Sequence, residues 1–185
     1  MNKQEDFYEI IETERLILRP MTEHDAALVV KWRNTPHVSS MNLQATKEFT
    51  VEDHLAWFNS SRQNRVDYII VIKSHKKPIG SVSMYWPSSI GLQNSGESGR
   101  YIGETEELGK GYATEAAEAW IDFAFTKLFL NSVVARTHIS NIPNQRINQK
   151  LGFKREPFPE GFKEFENDWI LMKLEKNQWL SQINK

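Results

Sequence analysis

The sequence contains no cysteine. That excludes disulfides, thiolate metal sites and a cysteine nucleophile, and it suits a reducing compartment. An excess of one charge is also missing: 23 Lys and Arg stand against 24 Asp and Glu, a net charge of −1. Nucleic-acid backbones are held by surplus basic residues, so no nucleic-acid partner is expected. No apolar stretch approaches the ~18 residues of a membrane span. The opening Met1-Asn2-Lys3-Gln4-Glu5-Asp6 is too polar and acidic for a secretory leader. A soluble, cytoplasmic protein with no membrane partner is expected. The five histidines form no i, i+4 pair, and no metal is expected. A Gly-x-Ser-x-Gly elbow is absent, which leaves a serine hydrolase unsupported. Internal repeats and low-complexity linkers are absent as well.

What is present suits one domain with a full core: 185 residues, 39% apolar, with ten Phe, six Trp and five Tyr. Residues 1–12 read as an extension, 13–176 as the domain and 177–185 as a tail. Arg15 to Arg19 alternates as a strand and is stopped by Pro20. Thr22-x-x-Asp25 and Thr50-x-x-Asp53 each read as a capping box opening a helix. The first helix carries Leu28, Val29 and Trp32 and ends at Asn34-Thr35-Pro36. The second carries Leu55, Trp57 and Phe58 to about Arg62. Tyr68–Ile72 and Ile79–Trp86 read as a hairpin about His75-Lys76-Lys77-Pro78. A polar loop (87–96) leads to a strand over Glu97–Gly103. From Ala113 to Phe129, apolar residues recur every three or four positions, the strongest helix in the chain. Val133–Ile139 is a strand, Pro143–Leu151 a short helix, Gly152-Phe153 starts a strand, and Glu166–Leu174 is the last strand. This alternation predicts an α/β fold, a mixed sheet with helices on both faces.

Leu108-Gly109-Lys110-Gly111-Tyr112-Ala113 lies between a strand and the strongest helix. Two glycines let backbone N–H groups turn toward a ligand, and a helix start offers unpaired donors and partial positive charge to a phosphate. The same stretch also reads as a tight strand-to-helix connection. A P-loop needs four residues between Gly and Gly-Lys and then Ser or Thr. Here five residues separate Gly103 from Gly109, and Gly111 follows Lys110, so nucleoside triphosphate hydrolysis is rejected.

Downstream, Asn141-Ile142-Pro143-Asn144 to Leu151-Gly152-Phe153 reads as a capped helix with Pro in its first turn and Gly at its stop. Together, Gly109-Lys110-Gly111-Tyr112-Ala113-Thr114-Glu115-Ala116 and Asn141…Leu151-Gly152-Phe153 resemble the GNAT superfamily of N-acetyltransferases. Glu14-Arg15-Leu16-Ile17-Leu18-Arg19-Pro20 resembles its ribosomal-protein N-terminal acetyltransferase (RimJ/RimL-like) branch. The resemblance implies a mostly antiparallel sheet of six to seven strands, about four helices and a V-shaped cofactor cleft. It implies acetyl-CoA as co-substrate, its diphosphate held by main-chain N–H groups of Gly109, Lys110, Gly111, Tyr112 and Ala113. Leu108 stands where the family's loop usually begins with Arg or Gln. Asn141 matches the family's Asn beside the pantetheine arm, and Asn144 falls where a small polar residue near the cofactor is common; both also read as helix caps.

Direct transfer needs an amine stripped of its proton, since an alkyl amine of pKa ~10 is charged at neutral pH. It needs a donor for the developing oxyanion and an acid for the leaving thiolate. The resemblance implies Glu97 as base, usually through water, with Glu104 a weaker candidate; either also reads as a solvated edge charge. It implies an oxyanion donor near Ile102. Many relatives carry a Tyr where Asn148 stands, and Asn cannot act as an acid; Tyr101 and Tyr112 are substitutes. Trp32, Arg33 and Asn34, in the segment implied to line the acceptor side, resemble those of relatives acting on nucleotide-linked sugars or aminoglycosides. Trp32 also reads as core and Arg33 as a surface charge. The loop 87–96 and the stretch Phe158–Glu166 are expected to border the acceptor. The reading is an N-acetyltransferase, monomer or homodimer, acting on a small-molecule amine or a protein N-terminus. A non-catalytic acyl-CoA sensor of the same fold is the alternative, and an adaptor without cofactor a third.

Overall fold

Leu16 and Leu18 alternate with Ile17 and Arg19, and both leucines are fully buried. The computed structural model describes residues 9–41, 48–86, 88, 90, 92 and 94–183. Residues 1–8 of the expected extension, 184–185 of the expected tail, and 87, 89, 91 and 93 of the polar loop lie outside the described residues.

The strands are β1 (Ile11–Glu12), β2 (Leu16–Pro20), β3 (Arg65–Ile72), β4 (Lys77–Tyr85), β5 (Ser95–Ile102), β6 (Ser132–His138), β7 (Lys154–Glu156) and β8 (Trp169–Glu175). The helices are α1 (Ala26–Arg33), α2 (Pro36–Ser39), α3 (Val51–Ser61), α4 (Tyr112–Thr126), α5 (Ile142–Lys150) and α6 (Lys176–Ile183). The hydrogen-bonded strand order is β1-β2-β3-β4-β5-β6-β8-β7. The fold is the expected α/β class with a mixed sheet, of eight strands and six helices among the described residues against an expected six to seven and about four. The β5–β6 ladder is parallel and runs over Ser95–Glu97 and Ser132–Val134, although β5 extends to Ile102 and β6 to His138. No helix among the described residues is long and apolar enough to cross a membrane.

Two compact units divide the chain, Met1–Ser83 with Arg100–Ala119, and Met84–Gly99 with Trp120–Lys185; the cuts fall within β4, β5 and α4. In the first, Met21, Val29, Trp32, Phe58, Ile69 and Val71 form a buried cluster. Each such side chain contributes about 1.5–3 kcal/mol on full burial. The Thr50 box forms as read: Asp53 N–H donates to Thr50 Oγ1 at 3.0 Å, and Thr50 N–H to Asp53 Oδ2 at 3.2 Å. At the other box Thr22 N–H donates to Asp25 Oδ2 at 2.9 Å, and Arg19 grips the same carboxylate at 2.9 and 2.6 Å. Pro36 does more than stop α1, because it also stands in the first turn of α2.

In the second unit Ile90, Val134, Phe158 and Leu171 are buried together, with Leu92, Phe162, Phe165 and Trp169 packed against them. The described apolar residues of the polar loop and of the Phe158–Glu166 stretch thus share one cluster. Two differences from the sequence reading have local causes. The helix read through Phe129 ends at Thr126: Lys127 and Leu128 N–H both turn back to Phe123 C=O, and Phe129 takes a left-handed φ of 54°. Phe129 is then 76% exposed, and Leu130 takes the buried position. Residues 177–183, read as tail, form most of α6, where Trp179 is buried and donates to Asp122 Oδ1 at 3.3 Å.

Candidate functional site

The glycine loop lies in the first unit. Gly109 and Gly111 adopt φ of +75° and +84°, which other residues rarely take, so these two positions require glycine. A Cβ at Gly109 would meet nothing within 4 Å. Among the described residues, the N–H groups of Gly109, Lys110, Gly111, Tyr112 and Ala113 meet no acceptor; the first turn of α4 closes only at Thr114 and Glu115, which donate to Gly111 C=O at 3.1 Å. Five successive donors at a helix start make an anion cradle. Lys110 turns its ammonium back to Glu107 Oε2 at 2.8 Å, and Lys77 reaches Glu107 Oε1 at 2.9 Å and Glu106 at 2.7 Å. The Lys110 hydrogen bond, then that of Lys77, holds the Glu107 carboxyl down at about 2. The loop therefore offers backbone, as expected, with Leu108 exposed beside it.

Arg15 braces this loop, a role that sequence reading missed. Its Nη1 donates to Lys110 C=O at 2.9 Å and its Nε to Glu115 Oε2 at 2.6 Å, while its guanidinium lies 4.6 Å from the Tyr112 ring centre. Glu115 Oε1 also accepts from Arg15 N–H at 2.8 Å and from the Thr13 hydroxyl. The only sequence signal was that Arg15 falls inside the segment Glu14–Pro20.

At the end of β5, still in the first unit, Ile102 C=O accepts from His37 Nε2 at 3.0 Å. Glu104 Oε1 accepts from the Trp32 indole at 2.7 Å and from Lys31 at 3.1 Å. The Trp32 bond, ahead of Lys31, outweighs partial desolvation and lowers the Glu104 pKa. Trp32 is fully buried, edge-on to Tyr101 at 6.2 Å. Burial raises the Tyr101 phenol well above its ordinary value, so it is a poor acid. Asn34 clamps one backbone position from both sides: Nδ2 donates to Phe49 C=O at 2.8 Å, and Phe49 N–H to Asn34 Oδ1 at 2.9 Å. Arg33 lies over the Phe49 ring at 3.9 Å.

The second unit carries the other candidates. Glu97 Oε1 accepts from Arg136 Nε at 2.7 Å, and both side chains are about 15% exposed (16% and 15%). Asn141 caps α5, its Oδ1 accepting from Asn144 N–H at 3.2 Å, so the capping role read beside the cofactor role is realised. Asn144 and Asn148 both donate to Thr137 Oγ1, at 3.2 and 3.3 Å. Asn148 and Thr137 are buried, which makes this a polar knot between α5 and β6.

Residues 15–154 match the Acetyltransferase (GNAT) domain family. The chain belongs to the GNAT acetyltransferase family. It is 28% identical over 175 residues to the uncharacterized N-acetyltransferase YnaD of Bacillus subtilis (strain 168), covering 86% of this chain and 91% of that protein. It is 30% identical over 155 residues to the uncharacterized N-acetyltransferase p20 of Bacillus licheniformis, covering 80% and 84%. The fold matches Mycobacterium smegmatis RimJ in complex with CoA-disulfide at a TM-score of 0.76 and 16% identity, covering 94% of this chain and 90% of that one.

For a GNAT protein the coenzyme implied is CoA or its acetyl thioester, and the Gly109–Ala113 loop suits its diphosphate: unpaired donors in series, and glycine where a side chain would be strained. Among the described residues, no group of three or more His, Cys, Asp or Glu could hold a metal ion. In the second unit, an open depression of about 320 Å³ is lined by Arg155, Phe158, Glu166 and Trp169 among others.

Proposed function

We propose that this GNAT protein is an N-acetyltransferase that carries acetyl-CoA on the Gly109–Ala113 loop and passes the acetyl group directly to a primary amine. The observation that carries the reading is the row of five backbone donors at the start of α4, fixed by Arg15. Gly109, Lys110, Gly111, Tyr112 and Ala113 hold the diphosphate through their N–H groups. Asn141 keeps its Oδ1 for the helix cap and offers its amide N–H to the pantetheine arm, with Asn144 fixed behind it by Thr137. When bound, acetyl-CoA supplies an activated thioester carbonyl. Ile102 offers its N–H to the carbonyl oxygen, where charge develops.

Glu97 takes the proton from the amine, through water, and Arg136 fixes its carboxylate. Glu104 is the second candidate in this reading; its hydrogen bonds to Trp32 and Lys31 lower its pKa. Trp32 then acts through Glu104 rather than by touching substrate, and Asn34 acts through Phe49. The opening segment Glu14–Pro20, which resembles the RimJ/RimL-like branch, supports a protein N-terminal amine as acceptor, beside small-molecule amines.

Thiol release from acetyl-CoA is measured against aminosugar nucleotides, aminoglycosides, polyamines and peptides with Ser, Thr or Ala at the N-terminus. Release that depends on one class supports the reading and names the acceptor. Absence of coenzyme A binding by calorimetry contradicts it. A second reading, a non-catalytic acyl-CoA sensor, is favoured by Asn148, which is buried against Thr137 where many relatives place an acid. Tight coenzyme A binding without thiol release for any amine supports the sensor.

A further inference from the structure

Among the described residues, Arg15 holds Glu115, Arg19 holds Asp25, Arg65 holds Asp67 and Arg136 holds Glu97. Arg33 holds no carboxylate among them. Among the described residues its guanidinium makes no hydrogen bond and no ion pair. Its electrostatic neighbours include Tyr101, Arg65, Asp67 and the buried His54, and Asp67 is gripped by Arg65 Nε at 3.1 and 3.0 Å and by Nη2 at 2.8 Å. A partly buried cation with idle donors is costly to keep.

Its position is nonetheless fixed. The guanidinium lies 3.9 Å from the centre of the Phe49 ring and 5.8 Å from that of Trp57. Asn34, the next residue, clamps the Phe49 backbone by both N–H and C=O. An aromatic stack engages the face of a guanidinium and leaves its edge, where the N–H donors lie, for a planar or tetrahedral oxyanion. Arg33 also neighbours Tyr101, which precedes Ile102 on β5.

We propose that Arg33, stacked on Phe49 and without an ion pair among the described residues, is the docking point for an oxyanion carried by the acceptor, so that the preferred substrates are amines that also bear a carboxylate or phosphate. This rests on the N-acetyltransferase reading and narrows its substrate class. Polycationic amines are disfavoured by the same charge. Asn34 is a positioning residue that acts through Phe49.

The test uses two matched pairs of amines: glucosamine 6-phosphate against glucosamine, and an alanyl dipeptide with a free carboxylate against its amide. Each is assayed for thiol release, and each is titrated by calorimetry into the protein saturated with coenzyme A. The anionic member of at least one pair is expected to win by about 10- to 100-fold, chiefly in KM and Kd. The pair that discriminates says whether the oxyanion is phosphate or carboxylate. Arg33→Gln is expected to collapse that ratio toward one, and Arg33→Lys to restore part of it. A merely structural role would weaken both members of a pair alike, and thermal unfolding reports whether each variant folds. Equal or reversed preference in both pairs, or a preference that survives Arg33→Gln, overturns the inference and leaves the transferase reading standing. Charge discrimination in binding without thiol release overturns the transferase reading and leaves the oxyanion site standing.

Discussion

Arg15 Nη1 donates to the carbonyl of Lys110 at 2.9 Å and thereby ties the bend just before β2 to the loop between β5 and α4. The bond fixes the peptide plane between Lys110 and Gly111, whose N–H is one of the five cradle donors. The same guanidinium grips Glu115 in the first turn of α4. The cradle is thus preorganised by a residue about a hundred positions away in sequence.

Removing that brace should loosen the cradle without unfolding the chain. Arg15→Met is expected to weaken coenzyme A binding about 10-fold, the scale of one charge-assisted hydrogen bond. Calorimetry measures it. Unchanged affinity would show that the loop holds its shape unaided.

Gly111→Val is a harsher change at the same place. The positive φ costs a branched residue about 1–2 kcal/mol, and its Cβ would meet Arg15 Nη2 at 3.3 Å. Coenzyme A binding is expected to be lost while thermal unfolding stays cooperative. Binding that survives contradicts the cradle.

Glu97→Gln removes the proposed base and keeps its shape. The rate is expected to fall at least about 100-fold, the low end for general-base catalysis, with coenzyme A affinity nearly unchanged. A rate within twofold of wild type removes Glu97 from the mechanism.

His54 makes a separate prediction about stability. It is fully buried beside Trp57 and Phe58, and neither ring nitrogen has a hydrogen-bond partner among the described residues. Burial first, and Arg33 second, lower its pKa below the ordinary 6.5. The unfolded chain therefore takes a proton near 6.5 while the folded chain refuses it. Its contribution to stability is full above about 6.5 and is lost as pH falls toward the lowered value. His54→Leu should flatten the fall of the melting temperature just below pH 6.5. Parallel profiles for variant and wild type would contradict this.

The local features were legible because their signals are local. The Thr50–Asp53 box spans three residues, and the glycine loop and the Pro143 helix start each lie within one short run. α2 was missed because Pro36 reads as a stop for α1 although it also begins a helix. α6 was missed because it follows β8 directly and Trp179 is its one buried residue. The wiring of the site was hidden for a different reason. Glu115 lies 100 residues from Arg15, Glu104 lies 72 from Trp32, and Arg136 lies 39 from Glu97. Periodicity and spacing say nothing about such pairs. Arg33 read both as an acceptor-side residue and as a surface charge, and its stack on Phe49, 16 residues away, is another such non-local relationship.

The central claim is amine-dependent acetyl transfer, and product stoichiometry tests it most directly. Acetyl-CoA is incubated with the protein and an amine from the responsive class, and free thiol and N-acetylated amine are both quantified. The account predicts one acetylated amine for each thiol released, and negligible thiol when the amine is left out. Thiol release that is independent of amine, or the absence of an acetylated product for any class, would contradict it.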